Sequence, residues 1–122
     1  MKRTLLFVLA LAVIPVGVDA QDTPSDSCAD ISGLSPLEDL RSCGEQGYAY
    51  AQFNLGVAYG TGAGVPEDDV LAYMWANLGA AQGNENAAEL KDLLVGLMTR
   101  AQIAEGQRMS SEWIEAHPPG GN

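Results

Sequence analysis

Between Gly47 and Gly83 the chain reads as two runs at helical spacing on either side of a glycine-rich loop, Gly60-Thr61-Gly62-Ala63-Gly64. The flanking runs carry Ala51, Gly56 and Ala58 on one side and Ala72, Ala76, Gly79 and Ala80 on the other. Small residues three and four apart share a helix face and let two helices approach closely. This pattern predicts an antiparallel helical hairpin. A single hairpin cannot bury both its apolar faces, so neighbouring helices must complete it.

The neighbours are legible in the flanks. Ser35-Pro36-Leu37-Glu38 has the form of a helix start: a serine cap, proline in the first turn and glutamate closing a capping box. A shift of 36 residues lays Cys43–Gly47 over Gly79–Gly83, which makes the first helix the second half of a truncated preceding unit. The same shift puts Ala51 on Ala87 but Leu55 on Lys91, so the pattern decays downstream. Asn84 is placed to cap a helix with an inner stripe of Ala87, Leu90, Leu94, Leu97 and Met98. Thr99 and Gln102 suit a capping box for a last helix whose inner face is Ile103, Gly106, Ser110, Trp113 and Ile114. Five helices are expected, over 36–46, 48–60, 67–82, 84–98 and 100–116. The predicted fold is all-α, a short α/α solenoid of antiparallel hairpins over 35–117, with a disordered tail over 118–122.

The central run has the form A-x-A-Q-x-x-L-G-x-x-Y, G-x-G-V-x-x-D, A-x-x-W and A-A-x-G. It is supplied by Ala49, Ala51, Gln52, Leu55, Gly56, Tyr59, Gly62, Gly64, Val65, Asp68, Ala72, Trp75, Ala80 and Gly83. It resembles one Sel-1-like repeat, a relative of the tetratricopeptide repeat, with the full repeat over 47–83 and degenerate caps on either side. Gly79 stands where that family usually has alanine, which reads as a small loss of helix propensity. The resemblance implies a short right-handed array of hairpins and a protein-interaction adaptor, and the N-terminal targeting segment read below makes it an exported one, periplasmic or secreted. It also brings an alternative, a cell-envelope enzyme acting on β-lactams or peptidoglycan, as assigned to a few exported relatives. A third reading is a cap that completes its fold only against a partner or itself.

Residues 1–20 read as a signal peptide. Lys2 and Arg3 precede the apolar run Leu5–Ile14, Pro15 and Gly17 break it, and Val18-Asp19-Ala20 suits cleavage after Ala20. The run is shorter than a bilayer-spanning helix, and Gln21 rather than a cysteine directly follows the cleavage site, so no stable membrane anchor is expected. Residues 21–34, rich in Asp, Ser, Thr and Pro, read as a flexible segment. Cys28 and Cys43 are the two cysteines of the chain. In an exported protein they are expected to pair, and closing such a loop is worth about 3 kcal/mol in the chain-entropy model.

The full chain has 6 basic and 16 acidic residues, a net charge of −10. Removal of 1–20 takes away Lys2, Arg3 and Asp19 and leaves −11. Too few cations remain to neutralise nucleic-acid phosphates or anionic lipid, whereas a basic partner is favoured. His117 is the single histidine, which excludes a histidine triad or a zinc site built from histidines. The glycines at 60, 62 and 64 follow a helix and miss the spacing of a dinucleotide fingerprint. Glu67-Asp68-Asp69 lacks the alternation of a calcium loop. No catalytic residue, cofactor or metal ligand is therefore assigned. Tyr59, Trp75 and Trp113 fall on inner faces as core. Tyr50, Asn54 and Val57 fall on another face, with Tyr48 and Phe53 nearby, and are the candidate residues for a protein or peptide partner.

The export reading has a direct test. Sequencing the N-terminus of the protein recovered from the extracytoplasmic fraction should give Gln21 first, and a protein retaining Met1–Ala20 there contradicts it.

Overall fold

A computed structural model describes residues 28–118. The signal peptide, the first part of the segment before Cys28 and the last four residues of the tail lie outside the described residues. Five helices follow in order: α1 (Leu37–Glu45), α2 (Ala49–Thr61), α3 (Asp69–Ala81), α4 (Glu85–Leu97) and α5 (Arg100–Ala116). Each begins and ends within two residues of the expected limits.

Helix α3 is the hub. It packs against α2, α4 and α5, while α1 packs on α2, and α2 also meets α4. The small residues explain how close α2 and α3 come. A Cβ added to Gly56 of α2 would stand 3.2 Å from the Ala72 carbonyl oxygen and 3.4 Å from the Ala76 nitrogen of α3. Reciprocally, a Cβ on Gly79 of α3 would stand 3.2 Å from the Ala49 carbonyl oxygen and 3.6 Å from the Phe53 nitrogen of α2. Each helix thus brings a bare backbone to the other, at two levels of one crossing. Gly79 is therefore more than the small loss of helix propensity expected of it: its hydrogen occupies the place where a methyl group would press on Ala49 and on the Ala87 side chain of α4.

The 36-residue shift survives in three dimensions. Helices α2 and α4 begin at 49 and 85 and end at 61 and 97. Gly47 and Gly83, with φ of 98° and 91°, turn the chain after α1 and α3 in the same left-handed conformation. The bonds at these turns match too. The Tyr48 amide donates to the Cys43 carbonyl at 3.1 Å, and the Asn84 amide to the Gly79 carbonyl at 3.1 Å. The period then breaks between α4 and α5, which are joined by Met98 and Thr99 alone, whereas residues 62–68 join α2 to α3.

Side-chain caps account for three of the starts. Asp68 accepts from the Leu71 amide at 3.0 Å, and Asn84 from the Ala87 amide at 2.8 Å. Thr99 and Gln102 form the expected reciprocal box, at 3.1 and 2.9 Å. The box expected at Ser35 does not form. Pro36, with ψ of 145°, is the residue before the helix, and the Ser35 hydroxyl instead accepts from the Ser32 amide at 2.9 Å. With Pro36 in that place, α1 starts without a side-chain cap, and Glu38 and Asp39 in its first turn favour the positive end of the helix.

The core gathers Leu40, Leu55, Met74, Trp75 and Leu78, with Tyr59, Met109 and Trp113 packed against them. Trp75 and Trp113 meet edge to face, their centroids 6.3 Å apart. A second cluster of Ala72, Tyr73, Ala76, Leu94 and Met98 joins α3 to α4, with Ile103 of α5 against it. Two expected core residues are outside it. Leu97 is 76% and Ile114 47% exposed. Helical rotation explains both: Leu94 takes the inner side of α4, with Met98 buried just past its end, and Trp113 takes the inner side of α5, which turns Leu97 and Ile114 outward.

Gln52 is fully buried, yet polar. Its Nε2 donates to the Gly44 carbonyl at 3.0 Å, and its Oε1 accepts from Gln82 Nε2 at 2.7 Å. One side chain therefore ties the ends of α1 and α3 to the first turn of α2. The Cys28–Cys43 disulfide, with Cα atoms 5.5 Å apart, fixes the N-terminal segment to α1, and Ile31 packs against the buried bridge.

Two glycines on helices should respond in opposite directions to alanine. Gly79→Ala should lower stability by about 1–3 kcal/mol, the usual cost of overpacking. Gly96→Ala, where nothing lies within 4 Å, should raise it by about 0.5–1 kcal/mol through helix propensity. Denaturant titration of both variants checks this. Equal effects at the two sites would remove the close approach as an explanation.

Candidate protein-interaction surface

Helix α2 divides its residues by rotation. Ala51, Gln52, Leu55, Gly56 and Ala58 are buried, while Tyr50, Asn54, Val57 and Thr61 recur at spacings of four and three on the other side. The structure therefore brings the candidate residues Tyr50, Asn54 and Val57 onto one stripe. Tyr50 is 44% exposed, and Asn54 and Val57 are half-buried. The Tyr50 ring lies 6.3 Å from that of Phe53, at a 45° tilt.

Asn54 is bonded on one side and bordered on another. Its Nδ2 donates to the Tyr50 carbonyl at 2.9 Å, and its Oδ1 faces Gly33, where a Cβ would come within 2.9 Å. The segment anchored by Cys28 thus runs along one edge of the stripe. That edge was not foreseen, because no periodicity in residues 28–36 reveals where the chain passes.

The other edge belongs to α4. Leu90 Cδ2 reaches 2.9 Å from the Cβ position of Gly56, so Leu90 sits where α2 and α4 meet. Beyond it Leu93 is 68% exposed, one turn before Leu97. Leu93 lies outside the expected inner stripe of α4, and Leu97, expected within it, is 76% exposed. The 36-residue shift held the missing signal, since it lays Asn86, Leu90, Leu93 and Leu97 over Tyr50, Asn54, Val57 and Thr61.

The remaining chemical groups have structural occupations. Cys28 and Cys43 are bonded to each other. The His117 ring stacks on Trp113 at 3.9 Å, with Nδ1 2.7 Å from the Trp113 carbonyl. Glu67, Asp68 and Asp69 line an open cavity of about 450 Å³ with Val70 and Gln102, and Asp68 is already committed to its cap. Among the described residues no three of His, Cys, Asp and Glu stand close enough together to hold a metal ion. Arg108 bridges Glu105 and Glu112 on the solvent side of α5, and this bond holds the Glu105 carboxyl below its usual range.

Hairpins repeated at a fixed period, packed through small residues and turned by glycines, define a helical-repeat protein. Residues 49–84 match the family model of the Sel1 repeat, the stretch that holds α2, the glycine loop and α3. No curated protein sequence matches it. Sel1 repeats typically mediate protein–protein interactions, and the surface stripe of α2 lies within the matched residues.

Proposed function

We propose that this protein is an exported adaptor that holds a protein or peptide partner without catalysis, through the stripe of Tyr50, Asn54 and Val57. One observation carries the reading: in a Sel1 repeat, Tyr50 keeps 44% of its surface in solvent beside the ring of Phe53. Aromatic rings offered in this way are the usual anchors of protein interfaces. Asn54, fixed by Tyr50 and bordered by Gly33, adds a positioned amide.

Export is supported by the disulfide, which persists in oxidising compartments. Among the described residues no helix is long and apolar enough to cross a membrane. A non-catalytic role is supported by the groups most suited to catalysis, since both cysteines are joined and His117 is stacked against Trp113.

The test is the double variant Tyr50→Ala, Asn54→Ala, compared with the wild type in thermal melting and in retention of partners from an envelope extract. The melt should move little, because surface substitutions cost about 0.5 kcal/mol or less. Partner retention should fall as expected for a lost anchor, about 2 kcal/mol or more. Unfolding of the variant would make these residues packing elements, and full retention would place the binding surface elsewhere.

A further inference from the structure

The stripe on α2 does not stop at that helix. Helix α4 lies against α2, Leu90 fills the join, and Leu93 and Leu97 carry the apolar line into open solvent. Nothing stands within 4 Å of a side chain built on neighbouring Gly96, so the approach to this part of α4 is clear. Two leucines one turn apart and more than two-thirds exposed are unfavourable in a free monomer, and the described core makes no use of either.

Charge selects among possible occupants. Glu85, Glu89 and Asp92 are exposed on α4 beside the leucines, and α2 carries no charged residue at all. The one cation of α4, Lys91, lies on the other side, 3.5 Å from Asn77 of α3. A second copy of the chain would oppose these carboxylates with its own, on a molecule of net charge −10. A helix with Leu on one face and Lys or Arg beside it would satisfy both the apolar line and the acidic rim. We propose that Leu90, Leu93 and Leu97, rimmed by Glu85, Glu89 and Asp92, dock a basic amphipathic helix of another protein. This rests on the adaptor reading and names the chemistry of its partner.

Two synthetic amphipathic helices serve as probes, one of Leu and Lys and one of Leu and Glu at the same spacing. Calorimetry on the purified protein should show binding of the Leu/Lys helix and none of the Leu/Glu helix. The double variant Leu93→Gln, Leu97→Gln keeps every charge, should melt as the wild type does, and should weaken binding about thirtyfold. Equal affinity of the variant would reduce the binding to general charge attraction and overturn the proposal. So would binding of the acidic probe. A stable dimer in sedimentation that the variant dissolves would show that a second copy covers the leucines, which also overturns it. Failure here is separable from failure of the adaptor reading. If envelope partners are lost by the Tyr50/Asn54 variant and kept by the Leu93/Leu97 variant, the adaptor stands and the basic-helix proposal falls.

Discussion

Two helices whose backbones touch set the geometry of everything else in this chain. Gly56 lies against the backbone at Ala72 and Ala76, and Gly79 against the backbone at Ala49 and Phe53. Backbone atoms cannot step aside as the end of a side chain can, so these positions fix the distance between α2 and α3 within narrow limits. The remaining packing is built outward from that contact. Leu90 of α4 seats over Gly56, and Ala87 of α4 over Gly79, so the same two glycines also receive the next unit of the array. On α5, Gly106 is similarly closed over, by the Tyr73 ring of α3.

Polar groups then fix the register that apolar contact leaves free. Buried Gln52 could not be left unpaired without a cost of about 1–3 kcal/mol, and it is bonded at both ends of its amide. It draws the ends of α1 and α3 to one level. The disulfide does the same for the segment before α1, with Ile31 packed against the buried bridge. That segment matters to the surface because it borders Asn54.

The helices and their limits were legible because periodicity and turn chemistry agreed. Gly47 and Gly83 both adopt the positive φ that glycine tolerates, and Asn84 and Thr99 both cap as their positions suggest. Ser35 misled because proline at 36 can be either the first helical residue or the one before it, and tertiary position decided. The stripe of Tyr50, Asn54 and Val57 was legible as a face of one helix. Its borders were not, since they depend on where the N-terminal segment runs and how α4 is rotated. Leu97 shows the limit most clearly. A stripe that admits both Leu94 and Leu97 is wider than the contact α4 makes, and only packing reveals which edge is bare.

The candidate surface and the architecture are thus linked through α2. Its inner side is committed to close packing, which leaves the other side rigidly presented without help from a loop. If the crossing of α2 and α3 is the element on which the fold depends, native-state amide exchange will show it. Amides from Leu55 to Tyr59 and from Ala72 to Ala76 should exchange last, at the rate of global unfolding, with α1 and the end of α5 opening earlier. Slower exchange in α4 or α5 than in α2 and α3 would contradict the account.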